Sequence, residues 1–358
     1  MCNDFFERGE KTTDAPIWFW VVTAFVLGIT IGSFLNVVIW RLPRGQSLMR
    51  PSSSYCPKCN RSLSAQDLVP LLSFLFLGRK CRQCKQPISW RYFCVELLTG
   101  LLFAVIAWRF WQNGADCIAL LLFTAVLVPI YFIDLETFTI PDSLNVLVFA
   151  IPLVRDIVGI IQKEPAHKPL WGWLPYSLVA AVGGVLIFGI VRLIGWIWKR
   201  QEAMGLGDVL LARGMGAMLL CFVSPSGGLI GTLLIWFLLA IGAGAIVGPL
   251  MLLFRQKRAI IEEEPESPQE FPEEDSNLGE QLFALAYCLC LGDVWGYLKD
   301  VRHRWSEETA PVEEDFAVAP TAIPFGPFMV LGFLLTVFFG GILISAYLGY
   351  ALPKSVSS

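Results

Sequence analysis

The sequence predicts an all-α polytopic membrane protein of about eight transmembrane helices, with a small cysteine-bearing segment on the cytoplasmic side. Three observations predict it. The 358 residues are 55% hydrophobic and 16% charged, with a mean hydropathy of +0.61, far from the composition of a soluble globular chain. The apolar residues are gathered into runs of about 20, the length a helix needs to cross a hydrocarbon core of roughly 30 Å. Lys and Arg concentrate in a few of the connections, as positive-inside orientation requires. The net charge is only −3, so nothing suggests a nucleic-acid partner and the lipid bilayer is the first partner.

Residues 1–16 read as an external N-terminal tail and 17–40 as the first span. That span is too long for a signal peptide, lacks a small-residue cleavage site and is followed by arginines, so it is a retained anchor. The segment 41–93 carries ten Lys and Arg residues against a single acid, Asp67, which makes it cytoplasmic and puts the N-terminus outside. A transmembrane core, 94–254, follows with spans near 94–113, 117–138, 142–161, 174–198, 206–224 and 227–254. The span 142–161 is the weakest, because Arg155 and Asp156 interrupt it. Lys199, Arg200 and the cations of 255–258 then fall inside, whereas the outer loop 224–228 has no charge. Residues 255–323 form a second cytoplasmic piece, and 325–350 the last span. Within that piece the acidic run EEEPESPQEFPEED has too little to bury to offset its chain entropy and is expected to stay disordered. Residues 278–304 mix apolar and charged side chains and read as one or two interfacial helices.

The basic segment holds Cys56-x2-Cys59, then 21 residues, then Cys81-x2-Cys84. Two such knuckles supply the four sulfurs of a tetrahedral zinc site. The competing reading, two disulfides, conflicts with a reducing cytoplasmic location. A closed four-sulfur site leaves no open position for water, so this zinc is structural. The six other cysteines, at 2, 94, 117, 221, 288 and 290, show no such pairing and read as small apolar residues.

Chemistry must then come from elsewhere, and an acid at membrane depth is a functional candidate by default. Asp134 follows an uncharged run, Ile118 to Ile133, of 16 residues. That run makes only about 24 Å of helix, so a full span continues past the acid. The macrodipole disfavours a carboxylate at a helix C-terminal end, so Asp134 is hard to explain as a cap of its own helix. Asp208, in Gly205-Leu206-Gly207-Asp208, precedes a helix, where an aspartate N-cap is ordinary. The spans carrying the two acids run in opposite directions, which brings both to the cytoplasmic face at similar depth. Two carboxylates in one poorly hydrated site do not both ionise readily, so one keeps a proton while the other is a base. That is the arrangement of an aspartic protease: one acid activates water and the other polarises a peptide carbonyl. Asp142, after Pro141, reads as an N-cap, and Glu136 lies nearer the aqueous loop. His167 and His303 have no assigned role. Leu291-Gly292-Asp293-Val294 repeats Leu206-Gly207-Asp208-Val209 but lacks the earlier glycine and runs into a polar stretch, so Asp293 reads as a decoy whose replacement by Asn is nearly silent.

These residues, taken together, resemble the type IV prepilin peptidases, membrane aspartic proteases of the GxGD type. The resemblance covers most of the chain and rests on GSFLNVVIWRLPRG at 32–45, the two cysteine pairs, PISWRYFCVELLTG at 87–100, IDLETFTIPDSL at 133–144, GLGD at 205–208 and IPFGPF at 323–328. It implies that Asp134 and Asp208 are the catalytic pair and that the substrates are type IV prepilins or pseudopilins, cut at the cytoplasmic face of the bacterial inner membrane. Such substrates carry a basic leader before an apolar helix. It also implies that the cysteine-bearing segment helps to methylate the new N-terminus with S-adenosylmethionine as donor, although no glycine-rich donor-binding loop is evident in the sequence. Two departures stand out. The family commonly has Lys two residues after the second aspartate, where this chain has Leu210, and Arg213 is the nearest candidate to supply that cation. The acidic insert, 259–320, is also longer than usual. A proton-coupled carrier and a non-catalytic assembly protein are the rival readings, and a peptide-cleavage assay separates all three.

Overall fold

The computed structural model describes residues 15–48, 55–56, 59, 61–164, 174–199, 204–222, 228–261, 278–290, 292–297 and 323–351. Residues 1–14 of the expected N-terminal tail, the acidic run within 262–277, His167 and His303 lie outside them. The helices are α1 (Ile17–Arg41), α2 (Leu72–Phe76), α3 (Trp90–Phe110), α4 (Gly114–Thr137), α5 (Asp142–Ile161), α6 (Tyr176–Lys199), α7 (Leu206–Phe222), α8 (Gly228–Ile261), α9 (Leu278–Leu289) and α10 (Gly326–Ala351). Seven of the eight expected spans are helices long and apolar enough to cross a membrane: α1, α3, α4, α5, α6, α8 and α10. Their outward faces carry exposed Val22, Leu101, Leu122, Ile190 and Leu238, as a lipid-facing surface allows. The second span starts earlier than the apolar run suggests, because the Ser89 hydroxyl accepts the Arg91 N–H at 3.2 Å and caps α3 there.

The chain divides into two compact units, with the break after Phe132. In the first, α1 and α3 pack backbone to backbone. A Cβ at Gly28 would lie 2.8 Å from the Gly100 Cα and one at Gly32 2.8 Å from the Glu96 Cα. This is the close approach that a small-xxx-small pair provides within a bilayer. Buried Asn36 adds a polar tie by donating to the Tyr92 carbonyl at 3.1 Å.

The second unit is organised around α7, the sixth expected span and the one outside those seven, which is only 17 residues long. Every residue from Val209 to Leu219 is buried, so α7 is a helix enclosed on all sides rather than one presenting a face to lipid. α5 and α6 pack on it most closely. A Cβ at Gly214 would come within 2.7 Å of the Val148 carbonyl oxygen, and one at Gly216 within 2.8 Å of the Ala180 carbonyl oxygen. The charges in α5 are neutralised rather than disruptive. Buried Arg155 pairs with Glu164 at 2.6 Å, and buried Asp156 accepts the Ser177 N–H at 2.9 Å.

α9 lies inside the stretch expected to be interfacial. Its Gln281–Leu285–Cys288 face packs on α6 and α7, and the next helical turn spans 292–297. There the repeated Leu-Gly-Asp-Val has its own explanation. Gly292 leaves room for the Tyr287 ring. Asp293, 2% exposed, takes both terminal nitrogens of Arg213, at 2.8 and 2.5 Å. Asp293 is therefore not a silent surface acid: it is half of a buried ion pair.

Candidate active site and cysteine cluster

Asp134 occupies the last turn of α4 and is only 4% exposed. Its own helix places it against a negative dipole end, and compensation comes from elsewhere: the Gly326 N–H, at the first residue of α10, donates to the Asp134 carboxylate at 3.0 Å. The acid thus sits at the N-terminal end of a different helix, where a negative charge is favoured. This gives IPFGPF a physical role. A Cβ at Gly326 would lie 2.6 Å from Asp134 Oδ2, so only glycine allows the backbone so close. α4 is followed directly by Phe138, whose φ of +56° is a left-handed conformation that a bulky residue adopts only under constraint. Its N–H returns to the Asp134 carbonyl at 3.0 Å.

Asp208 is the third residue of α7 rather than its N-cap. Its carboxylate reaches back to the Gly205 N–H, which is the acidic half of a capping box. Asp142 likewise is the first residue of α5, with Pro141 in the cap position. Asp134 and Asp208 line one open cavity of about 540 Å³, a volume within the usual range for ligand sites. Gly205 and Gly207 border it, Asp142 stands at its edge, and α9 contributes Phe283, Ala284 and Tyr287. Leu210 also borders it, in the place where the resemblance leads one to expect Lys.

Arg213 does not replace that lysine. Its guanidinium is committed to Asp293 and to the Cys288 carbonyl at 3.0 Å, and it lies over the Phe149 ring. Arg192 is the cation whose charge acts on Asp208. It is buried, and donates to the Met204 carbonyl at 2.6 Å and to Gln281 Oε1 at 3.0 Å. Arg192 thereby ties α6 to α9 and to the turn before α7, two residues ahead of the helix that carries Asp208. The sequence held a signal for it, since a lone cation deep in the apolar run 174–198 is as costly as an acid there.

In the other unit, the sulfurs of Cys56, Cys59, Cys81 and Cys84 all lie within 4.8 Å of one another, and Cys56 Sγ is 3.9 Å from Cys84 Sγ. Zinc–sulfur bonds of about 2.3 Å in a tetrahedron place sulfurs roughly 3.8 Å apart, so the donor set fits that ion. Each knuckle is closed by a short bridge, Tyr55 with Ser62 and Lys80 with Pro87. Arg61 links them by donating to Gln83 Oε1 at 2.8 Å. The backbone N–H groups of Cys84 and Gln83 point at Cys81 and pull its thiol down to about 7, toward the thiolate that binds metal. Nearby, the Ser64 hydroxyl and Arg82 hold Asp67 below the usual carboxylate range. Cys94, Cys117, Cys288 and Cys290 are free and outside the cluster, and Cys2 lies outside the described residues.

Comparison with known proteins gives two family matches: the bacterial peptidase A24 N-terminal domain over residues 26–110, and the type IV leader peptidase family over 117–249. The chain is 34% identical over 348 residues to the prepilin leader peptidase/N-methyltransferase of Myxococcus xanthus, covering 94% of this chain and 93% of that protein. It is 33% identical over 250 residues to the protein of the same name from Neisseria gonorrhoeae, covering 60% and 82%. It is 37% identical over 218 residues to the type 4 prepilin-like proteins leader peptide-processing enzyme of Escherichia coli, covering 55% and 76%. No solved structure matches the chain.

Proposed function

The chain belongs to the type IV leader peptidase family, and from that premise we propose that it is a multi-pass aspartic endopeptidase that removes the leader of type IV prepilins or pseudopilins and methylates the new N-terminus. The observation that carries the peptidase half is the meeting of Asp134 and Asp208, from two different helices, in one cavity.

In this reading the two carboxyl groups share one proton. The ionised acid takes a proton from water as the water oxygen attacks the scissile carbonyl carbon, while the protonated acid donates to the carbonyl oxygen. Collapse of the tetrahedral species returns a proton to the departing amine and breaks the C–N bond. The Gly326 N–H holds Asp134 and the Gly205 N–H holds Asp208, so both acids are oriented before substrate arrives. Cys56, Cys59, Cys81 and Cys84 would hold a structural zinc that closes the basic segment. We assign methyl transfer, with S-adenosylmethionine as donor, to that same segment, 41–93. We place the N-terminus outside and the aspartates at the cytoplasmic face of the inner membrane, by the distribution of Lys and Arg. The test is to incubate the purified protein with a substrate bearing a short basic leader before an apolar helix, and to sequence the N-terminus of the product. One new N-terminus at the leader junction is expected; an intact substrate refutes the reading.

A further inference from the structure

α9, in the middle of the insert 255–323, lines the cavity that holds both aspartates, and its contacts hold it there. One face of α9 is fastened: Gln281 by Arg192 at 3.0 Å, the Cys288 carbonyl by Arg213 at 3.0 Å, and Leu285 against Gly189 of α6, where a Cβ would collide with it. The following turn is locked by the buried Arg213–Asp293 pair and by Gly292 beneath the Tyr287 ring. Phe283, Ala284 and Tyr287, on the rest of the helix surface, line the cavity with Asp134 and Asp208. Phe283 is 72% exposed. A large aromatic ring exposed at the edge of a site, on a helix anchored by buried polar contacts, is left largely uncovered by the described residues.

We propose that α9 is the specificity wall of the peptidase site, and that Phe283, backed by Tyr287, receives the apolar side chain next to the scissile bond of the substrate. The proposal rests on the peptidase reading above. The wall is apolar and aromatic, so it suits the start of the substrate's apolar helix and not its basic leader, whose cations would lose hydration against Phe283 and Ala284. Substrate preference would then reside in the insert, outside the two-aspartate framework. Gln281 and Asp293 are the residues that position this wall. Phe283 and Tyr287 are the ones that touch substrate.

The experiment compares two prepilin-derived peptides, identical except for a large apolar residue or Ala immediately after the cut, with the full-length protein and its Phe283→Ala and Phe283→Leu variants. The exposure of Phe283 leaves little packing among the described residues for either change to disturb. Phe283→Ala is expected to lower kcat/KM about tenfold for the large-residue peptide, mainly through KM, and less than about twofold for the Ala peptide. Phe283→Leu is expected to recover most of the preference. Equal losses on both peptides, or an unchanged preference, overturn the proposal while leaving the peptidase reading intact. Failure of the unaltered protein to cut either peptide overturns both.

Discussion

Replacing Asp293 by Asn tests whether the insert is fastened as described. Asn has nearly the same shape, so the change removes charge without opening a cavity. In the native arrangement both carboxylate oxygens accept from Arg213, at 2.8 and 2.5 Å, and the two side chains are 3% and 1% exposed. The substitution leaves a buried guanidinium without its counter-charge and turns an amide N–H₂ toward it. Breaking a buried pair from one side costs about 3–5 kcal/mol. The pair joins α7 to the turn after α9, so the loss should appear as early release of 278–297. The assay is equilibrium unfolding in detergent micelles, together with protease susceptibility between 278 and 297. The double variant Arg213→Met with Asp293→Leu, which removes both charges, is expected to recover most of the lost stability. An Asp293→Asn protein within about 0.5 kcal/mol of the unaltered chain, with no new protease sensitivity, would refute the reasoning and restore the decoy interpretation suggested by the sequence.

Three further outcomes are expected. Gly326→Ala, which brings a Cβ to within 2.6 Å of Asp134 Oδ2, should displace the carboxylate and lower kcat about a hundredfold in a protein that still folds, as measured by initial cleavage rates. Metal analysis under reducing conditions should find one zinc per chain, lost when Cys81 becomes Ser. Apparent zinc affinity should fall more steeply once the pH drops below about 7, where the Cys81 thiol regains its proton. Asp134→Asn should still methylate a substrate supplied already cut, detected as about 14 Da on its N-terminal residue by mass spectrometry, because an acid–base pair for hydrolysis is not required for methyl transfer.

The spans were legible because each is a long apolar run, and the meeting of Asp134 and Asp208 in one cavity was legible because the third and sixth runs are expected to cross in opposite directions. The partners of the buried charges were not. Arg213 meets Asp293, and Asp134 meets Gly326, across chain separations at which no local period links them. Arg155 and Asp156 weakened α5 as a span for the same reason, since Glu164 and the Ser177 N–H, which satisfy them, lie beyond the helix. Residues 278–304 read as interfacial from composition, which records that α9 is amphipathic but not that its polar positions fasten it to α6 and α7 beside the aspartates. Asp208 as an N-cap was off by the width of the helix start: Leu206 begins α7, so the acid reaches back to Gly205 rather than forward.

The most direct test of the two-aspartate site is cleavage by Asp134→Asn, Asp208→Asn and the double variant, each checked for normal insertion and folding, with the product identified by N-terminal sequencing. Each single change should lower the rate at least about a thousandfold, and the double variant should be no slower than either alone, because a shared proton makes the pair one functional unit. A correctly folded Asp208→Asn protein that still cuts at the leader junction at near its normal rate would contradict the account, leaving that carboxylate with only its bond to Gly205.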